Sequence, residues 1–330
     1  MVSVIVPVHG GGQSFRRCLE SIAAARSGED ELIVVADGDS DGSWRLAADF
    51  DAMIVRTPAP QGPASARNLG AASARGDILF FTDADVTIPP DALRQVEGVF
   101  EKEPGLAALI GSYDDTPDVP NFLSQYKNLF HHHTHQTAGE DASTFWGACG
   151  AIRRRIFLEM GGFDASYRHP SIEDIELGYR LKSAGYEIRL LKSLQVKHLK
   201  HWRVASLLES DFLRRAIPWT ELILRDRRFI NDLNLRFSSR VSVPVTFAIL
   251  GTMVGTLLWP PLLKVSIGLV VALFLLNAPL FFFFGKKRGL WFAMRAFAWH
   301  CFYYLYSGLA FAIGCIRHVL PRWRSIRVLC

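Results

Sequence analysis

An α/β domain followed by membrane-associated helices is the architecture that this 330-residue sequence predicts, and three observations carry it. Over residues 1 to about 113, short β-branched runs alternate with longer Ala-rich, charged stretches, the pattern of a parallel sheet with crossover helices. The runs end in His9, Asp37, Asp83 and Asp85, at the strand ends where open α/β sheets bind ligands. From Leu233 onward there is no Asp or Glu, against eleven Lys and Arg.

In order, strands are expected at 3–8, 31–37, 53–56, 77–82 and 106–111, and helices near 13–26, 43–48, 64–74 and 90–101. A looser stretch follows from 112 to 141, rich in His, Asn, Gln and Asp, and then a second structured block from 144 to about 197 that closes over the first. Residues 1–200 thus form one domain with two halves, 1–113 and 114–200.

Residues 201–240 are amphipathic and basic, with Val204, Leu207, Leu208, Phe212, Leu222 and Phe229 set among Lys and Arg. Such segments lie in a membrane interface, or form an ordinary amphipathic layer. Residues 241–263 and 265–284 carry no charge, and each is long enough for a bilayer core of roughly 30 Å. They are expected to form a transmembrane hairpin turning at Pro260, Pro261 and Lys264. Arg236 and Arg240 before it and Lys286, Lys287 and Arg288 after it place both ends in the cytoplasm. Residues 285–330, with Arg295, His300 and a tail of Arg317, Arg322, Arg324 and Arg327, are expected to be interfacial or re-entrant.

Composition agrees with this division. The hydrophobic fraction is 49% and the net charge +5, yet the first 232 residues carry 26 basic and 32 acidic groups, a net of −6. The basic excess therefore sits wholly in the apolar third, which points to anionic lipid headgroups rather than nucleic acid. Cys18, Cys149, Cys301, Cys315 and Cys330 form no C-x-x-C pair, so neither a disulfide framework nor a zinc knuckle is expected. The opening apolar run has no basic n-region and no cleavage site, so the first domain is expected in the cytoplasm.

The sharpest local signal is Phe80-Phe81-Thr82-Asp83-Ala84-Asp85. In extended chain, i and i+2 point to one side, and hard oxygen ligands there suit Mg²⁺ or Mn²⁺ bridging to substrate phosphates. The same two acids can instead organise a turn. Asp37 ends another strand and could accept from a base or ribose, or belong to a turn rich in Asp, Gly and Ser. Arg67 could meet phosphates as a fork, or be a solvated helix charge. Ser171-Ile172-Glu173-Asp174 is both a capping signature and a place for a general base activating an acceptor at a sugar anomeric carbon. His198 and His201 could reach a metal or an acceptor phosphate, or simply be hydrogen-bonded. His131, His132, His133 and His135 are expected on a polar loop, as acceptor contacts or plain surface.

Taken in order, Val4-Ile5-Val6-Pro7-Val8, Val35-Ala36-Asp37-Gly38, Ala66-Arg67-Asn68-Leu69-Gly70, Thr82-Asp83-Ala84-Asp85, Gly150-Ala151-Ile152-Arg153, Gly161-Gly162-Phe163-Asp164 and Glu173-Asp174-Ile175-Glu176 resemble a family 2 glycosyltransferase of the GT-A fold. The resemblance covers about residues 1 to 200. It implies that Pro7, Val8 and Asp37 hold the nucleoside, that Arg67 and Asp83 contact ribose and diphosphate, and that Asp85, with Asp83, serves the metal of a DXD motif, which His198 could also reach. It makes Asp174, paired with Glu173, the base of an inverting displacement. Gly147 to Gly150 and the Gly161–Gly162 pair would let backbone approach sugar and acceptor, with Gly150, His201 and Trp202 on the acceptor side. Ala36 and Asp39 depart from the family's usual Asp-Asp-Gly-Ser. Processive members carry Gln-x-x-Arg-Trp and a channel of helices; neither is in this sequence, so a non-processive enzyme is expected.

The implied activity is metal-dependent transfer from a UDP- or GDP-sugar to a polyprenyl phosphate, glycolipid or lipid-linked glycan at the cytoplasmic face of a cell membrane. Two other classes stand beside it: a catalytically silent nucleotide-binding scaffold, which would need none of the acids together, and a sugar nucleotidyltransferase, which would carry a basic phosphate loop where His9-Gly10-Gly11-Gly12-Gln13-Ser14 stands.

Overall fold

The apolar run that opens the chain forms β1 (Val2–Val8), and the amphipathic stretch after the Gly10–Gly12 turn forms α1 (Gly12–Ala25), burying Phe15, Cys18, Leu19 and Ile22. Then come β2 (Glu31–Asp37), a 3₁₀ segment (Ser43–Phe50), β3 (Ala52–Thr57), α2 (Pro63–Ser73), β4 (Ile78–Thr82), the short β5 (Val86–Thr87), α3 (Ala92–Lys102) and β6 (Ala108–Tyr113). The first unit is completed by α4 (Phe122–Thr137), β7 (Cys149–Arg153), α5 (Arg154–Glu159), α6 (Glu173–Ser183) and β8 (Ile188–His198). The computed structural model describes residues 1–38, 41–227 and 233–320; Asp39, Phe229, Arg322, Arg324, Arg327 and Cys330 lie outside the described residues. The chain divides into two units, Met1–Trp202 and a second that begins at Arg203.

The sheet of the first unit runs β3-β2-β1-β4-β7-β6-β8-β5. Its β3-β2-β1-β4 half is parallel, as the alternation predicts. The rest is mixed: β7 lies antiparallel between β4 and β6. The second block therefore inserts a strand into the first block's sheet instead of only closing over it. No local pattern announces this, because a buried strand reads the same in either direction.

The expected loop from 112 to 141 is the larger correction, for it contains the 16-residue helix α4. Its buried face mixes Leu123, Tyr126 and Leu129 with Ser124, Gln125, Asn128, His132 and His135, so the apolar period is diluted. The sheet supplies the reason. β6 pairs with β7 only through Ile110, which leaves later β6 carbonyls unmatched on that side. His135 Nδ1 donates to Gly111 O (3.1 Å) and His132 Nδ1 to Tyr113 O (2.7 Å). The two imidazoles thus replace a missing strand, as buried carbonyls require, and are not loop surface.

The second unit contains α7 (Val204–Leu208), a π-helical segment (Glu209–Ala216), α8 (Ile217–Asp226), a 3₁₀ turn (Leu233–Leu235), α9 (Phe237–Gly255), α10 (Leu262–Leu276), α11 (Ala278–Arg288) and α12 (Leu290–Val319). Among the described residues one helix, α9, is long and apolar enough to cross a membrane, or two if the bent pair α10 and α11 counts as one span. The second expected span is not straight: α10 and α11 meet at 71°. Pro279 stands in the first turn of α11, where its missing N–H breaks the helical ladder. Lys264 lies within α10 and not in the turn before it.

Candidate active site

The carboxyl ends of β1, β2 and β4 gather the acids singled out in the sequence. Asp37 ends β2 and is buried. One of its oxygens accepts from Thr57 Oγ1 (2.9 Å) and Gln61 N (2.8 Å), the other from Gly62 N (2.8 Å). Asp37 therefore ties down the turn leading into α2. A carboxylate offers about four acceptor positions, and three are already used. Gly62 is required in that turn: its φ is +93°, and a Cβ would stand 2.2 Å from Arg168 O. Pro7 lies beyond the last β1–β4 pair, which is Ile5 with Phe81, and Val8 is buried beside it.

Asp83 and Asp85 sit in the turn that follows β4. Asp83 O accepts from Val86 N at 3.0 Å, so the pair organises a turn and also presents its carboxylates. They do not converge as the i, i+2 spacing suggests. Asp83 Oδ1 accepts from Arg67 at 2.6 Å, whereas Asp85 Oδ2 lies 3.5 Å from His198 Nε2 at the end of β8. Burial would raise the Asp85 carboxyl, but His198 and Lys200 outweigh it and hold it below the usual carboxylate range. Among the described residues no group of three or more His, Cys, Asp or Glu is placed to hold a metal; Asp85 and His198 are a two-donor set. Beneath the turn, Cys18 donates to Asp83 O (3.5 Å), and burial with the two nearby acids pushes its thiol up, leaving it protonated.

Arg67 is not a solvated helix charge. Its side chain is 6% exposed, and it donates to Asp83 and to Glu173 Oε1 (2.8 Å). Burial works against its charge, but Asp83, Glu173 and Asp174 raise its pKa above the ordinary value. The guanidinium lies over the Phe163 ring at 5.6 Å and against Gly147, whose added Cβ would meet Cζ at 3.1 Å. Arg67 thus joins the turn after β4 to the start of α6.

Glu173 and Asp174 open α6, where carboxylates suit the positive end of the helix dipole. The residue preceding the helix is Ile172 and makes no side-chain cap, so Ser171 does not fulfil the capping signature; its N–H donates to Glu173 Oε2 at 2.9 Å. Glu173 is spent on Arg67 and Ser171. Asp174 accepts from Gly147 N at 3.1 Å and from Ile175 N at 2.8 Å. Glu176 pairs with Arg180, which also donates to Met160 O and Gly162 O. Asn68 clamps the next residue in both directions, Nδ2 to Phe163 O and Phe163 N to Oδ1, each at 2.8 Å.

Three acceptor-side expectations change. Gly150 lies inside the sheet between Phe81 and Ile110, and a Cβ there would strike Trp146 O and the Phe145 ring; its smallness serves packing. Gly147 and Gly162 admit the protein's own Arg67 and Asn68. Trp202 is buried, its backbone held by Ser124 of α4 and by Asn121, which precedes that helix, and its ring covered by Lys200 at 4.5 Å. His201 is exposed. The sequence reading missed Asn128 of α4, whose Oδ1 lies 3.1 Å from His198 Nδ1, and Tyr113, stacked on His198 at 4.9 Å. Both fall in the stretch taken for a loop.

A mixed α/β sheet with carboxylates at the mouth of its parallel half is suited to a ligand bound beyond the strand ends. Residues 3–161 match the family model described as Glycosyl transferase family 2. Similar proteins include the Pre-mycofactocin glycosyltransferase of Mycobacterium tuberculosis, 28% identical over 60% of this chain and 42% of that protein. The Glucosyl-dolichyl phosphate glucuronosyltransferase of Haloferax volcanii is 26% identical over 47% of this chain and 52% of that protein. The chain therefore spans about half the length of the curated relatives it matches, or less. The mannosyltransferase PcManGT from Pyrobaculum calidifontis, solved in complex with GDP-Man and Mn²⁺, shares the fold with a TM-score of 0.57 at 17% identity, over 97% of this chain and 87% of that one. Over residues 3–161 the chain is thus similar to family 2 glycosyltransferases, and its fold is shared with a solved transferase.

Proposed function

We propose that the chain transfers a sugar from a UDP- or GDP-sugar to a membrane-associated acceptor by a single, inverting, non-processive displacement that depends on Mg²⁺ or Mn²⁺. The acceptor is a polyprenyl phosphate, a glycolipid or a lipid-linked glycan. The catalytic domain faces the cytoplasm, on a cell membrane that the C-terminal helices enter more than once. The observation that carries this reading is the Arg67 bridge, which joins Glu173, the neighbour of Asp174 in the chain, to Asp83 in the turn that also bears Asp85. A base and a diphosphate site must adjoin for an in-line displacement at the anomeric carbon.

Asp174 is the base: held by Gly147 N–H, it takes the acceptor proton as the sugar's oxocarbenium-like charge develops. Glu173 and Arg67 orient it. Asp85 and His198, which face each other at 3.5 Å, would be the protein donors for the ion. Such an ion would supply positive charge to the departing nucleoside diphosphate. Pro7, Val8, Asp37 and Asp83 line the nucleoside side, and His201 the acceptor side. Support for a lipid-linked acceptor comes from the dolichyl phosphate in the name of the Haloferax relative and from the apolar surface of the second unit.

The test is nucleoside diphosphate release by detergent-solubilised protein across UDP- and GDP-sugars, with Mn²⁺ or Mg²⁺, with and without membrane lipid extract. Release requiring metal, one donor, lipid and Asp174 is expected. Nucleotide binding without any release would favour the silent scaffold, and pyrophosphate release from NTP plus sugar phosphate the nucleotidyltransferase.

A further inference from the structure

We propose that Asn128 is the positioning residue that turns His198 into a metal ligand, fixing the imidazole so that Nε2 presents its lone pair beside Asp85. The inference rests on the reading of Asp85 and His198 as the protein donors. Asn128 lies on α4 and is 2% exposed. Its Oδ1 is 3.1 Å from His198 Nδ1. An amide oxygen only accepts, so the proton at this contact belongs to Nδ1. A neutral imidazole has one N–H, and with that proton at Nδ1 the lone pair is at Nε2. That atom stands 3.5 Å from Asp85 Oδ2. An ion needs that lone pair, and a ring turned to carry its proton at Nε2 would close the place beside Asp85 to it.

Packing alone cannot choose the nitrogen. Tyr113 stacks on the His198 ring at 4.9 Å with 4° between planes, and Trp202 approaches it from an edge at 6.2 Å. These contacts fix the plane, but a ring rotated by half a turn would fill the same slot. Only a directional partner distinguishes the two orientations, and Asn128 Oδ1 is that partner. The other half of the amide, Nδ2, is buried without a hydrogen-bond partner. A leucine of similar size would avoid the cost of an unpaired donor; what the amide adds is the contact to Nδ1. Partners of this kind, one step removed from an ion, set the tautomer and orientation of metal-binding histidines.

The test is Mn²⁺ titration of the full chain in detergent, without donor sugar, following the free-ion paramagnetic resonance signal. Asn128→Leu should bind Mn²⁺ about 10–100-fold more weakly, and Asn128→Asp, which keeps an oxygen at the contact, should stay within about threefold of the parent. Equal affinity in the parent and Asn128→Leu would overturn the proposal, as would Asn128→Asp falling as far as Asn128→Leu. A second readout needs no metal: in ¹⁵N-histidine-labelled protein, with His198 assigned by difference from His198→Gln, a protonated Nδ1 and bare Nε2 are expected, and the opposite tautomer overturns the assignment. If the parent binds no Mn²⁺, the metal reading under Proposed function fails and this inference with it; binding with an unaffected Asn128→Leu sinks this inference alone.

Discussion

The two units differ in the apolar surface they leave exposed. In the first, Val4, Ile5, Val34, Phe80 and Phe81 are wholly enclosed, and the charged groups taken inside, Arg67 and Glu173 above all, are paired. In the second, Leu257, Leu258, Phe282 and Trp291 are at least 61% exposed, as is Trp259 at 61%, while Ser242, Thr246, Ser266, Asn277 and His300 are buried. Asn277 Nδ2 donates to Ser242 Oγ (2.9 Å) and Leu273 O (2.9 Å), and Tyr304 Oη donates to Asn277 Oδ1 (2.7 Å). Helices α9, α10 and α12 are thus linked by polar groups at the 71° break. Water rewards the first arrangement. Lipid tolerates the second, because apolar surface costs nothing there and polar groups must find partners inside. The contrast supports the membrane placement proposed above, and it says that the same amino acids hold each unit together for different reasons.

The sharpest way to break the comparison is at the charged interior of the first unit. Asp174→Asn should lose about 10²–10⁴ in turnover if Asp174 is the base, with nucleotide-sugar binding retained in equilibrium titration; a near-normal rate would end that assignment. Arg67→Ala leaves Glu173 buried without its cation and should cost about 3–5 kcal/mol in denaturant unfolding. Unchanged stability with weakened donor binding would instead restore the phosphate-binding role that the sequence suggests. In the second unit the stakes are smaller. Asn277→Ala should cost about 0.6–2 kcal/mol when unfolded in mixed micelles, and a larger loss would mean that polar contacts hold this unit more tightly than lipid-solvated helices usually require. The smallest expected effect is a pH effect at Glu31. Burial would raise its carboxyl, but Ser3 Oγ (2.6 Å), Arg75 and Gly76 N–H outweigh it and hold it below the ordinary value. It therefore stabilises the fold above the unfolded value of about 4.3, and that contribution fades as pH falls through the lower folded value. Glu31→Gln should flatten this part of the acid-unfolding curve by roughly 1 kcal/mol or less.

How much could be read beforehand depended on which force formed each element. β2 was expected at 31–37 and is Glu31–Asp37, since a continuous apolar run admits little else. The opening of α2 at Gly62-Pro63 was equally legible, because Pro favours a first helical turn. Helix α4 escaped because its inner face sets Ser, Gln, Asn and His among its apolar residues, and two of those His residues find their partners only at β6 carbonyls. The bend at Asn277 escaped because hydropathy counts apolar residues and is blind to a ladder broken by Pro279. Among the site residues, Asp83, Asp85, Glu173 and Asp174 were visible as acids at element ends. Their pairings were not, because Arg67 and Glu173 are 106 residues apart in the chain, and His198 and Asn128 are 70 apart.

The sequence by itself determined the parallel half of the sheet, the division between an acid-bearing first unit and an acid-free apolar end, and the ordered motifs of a family 2 domain. Each follows from local pattern: period, run length, and charge along the chain. The tertiary structure decided the insertion of β7, the assignment of Arg67 to two carboxylates, the facing of Asp85 by His198, and the use of glycines to admit side chains. Those are pairings between distant segments, chosen by which buried donor meets which buried acceptor, and no short stretch of sequence contains both halves of such a choice.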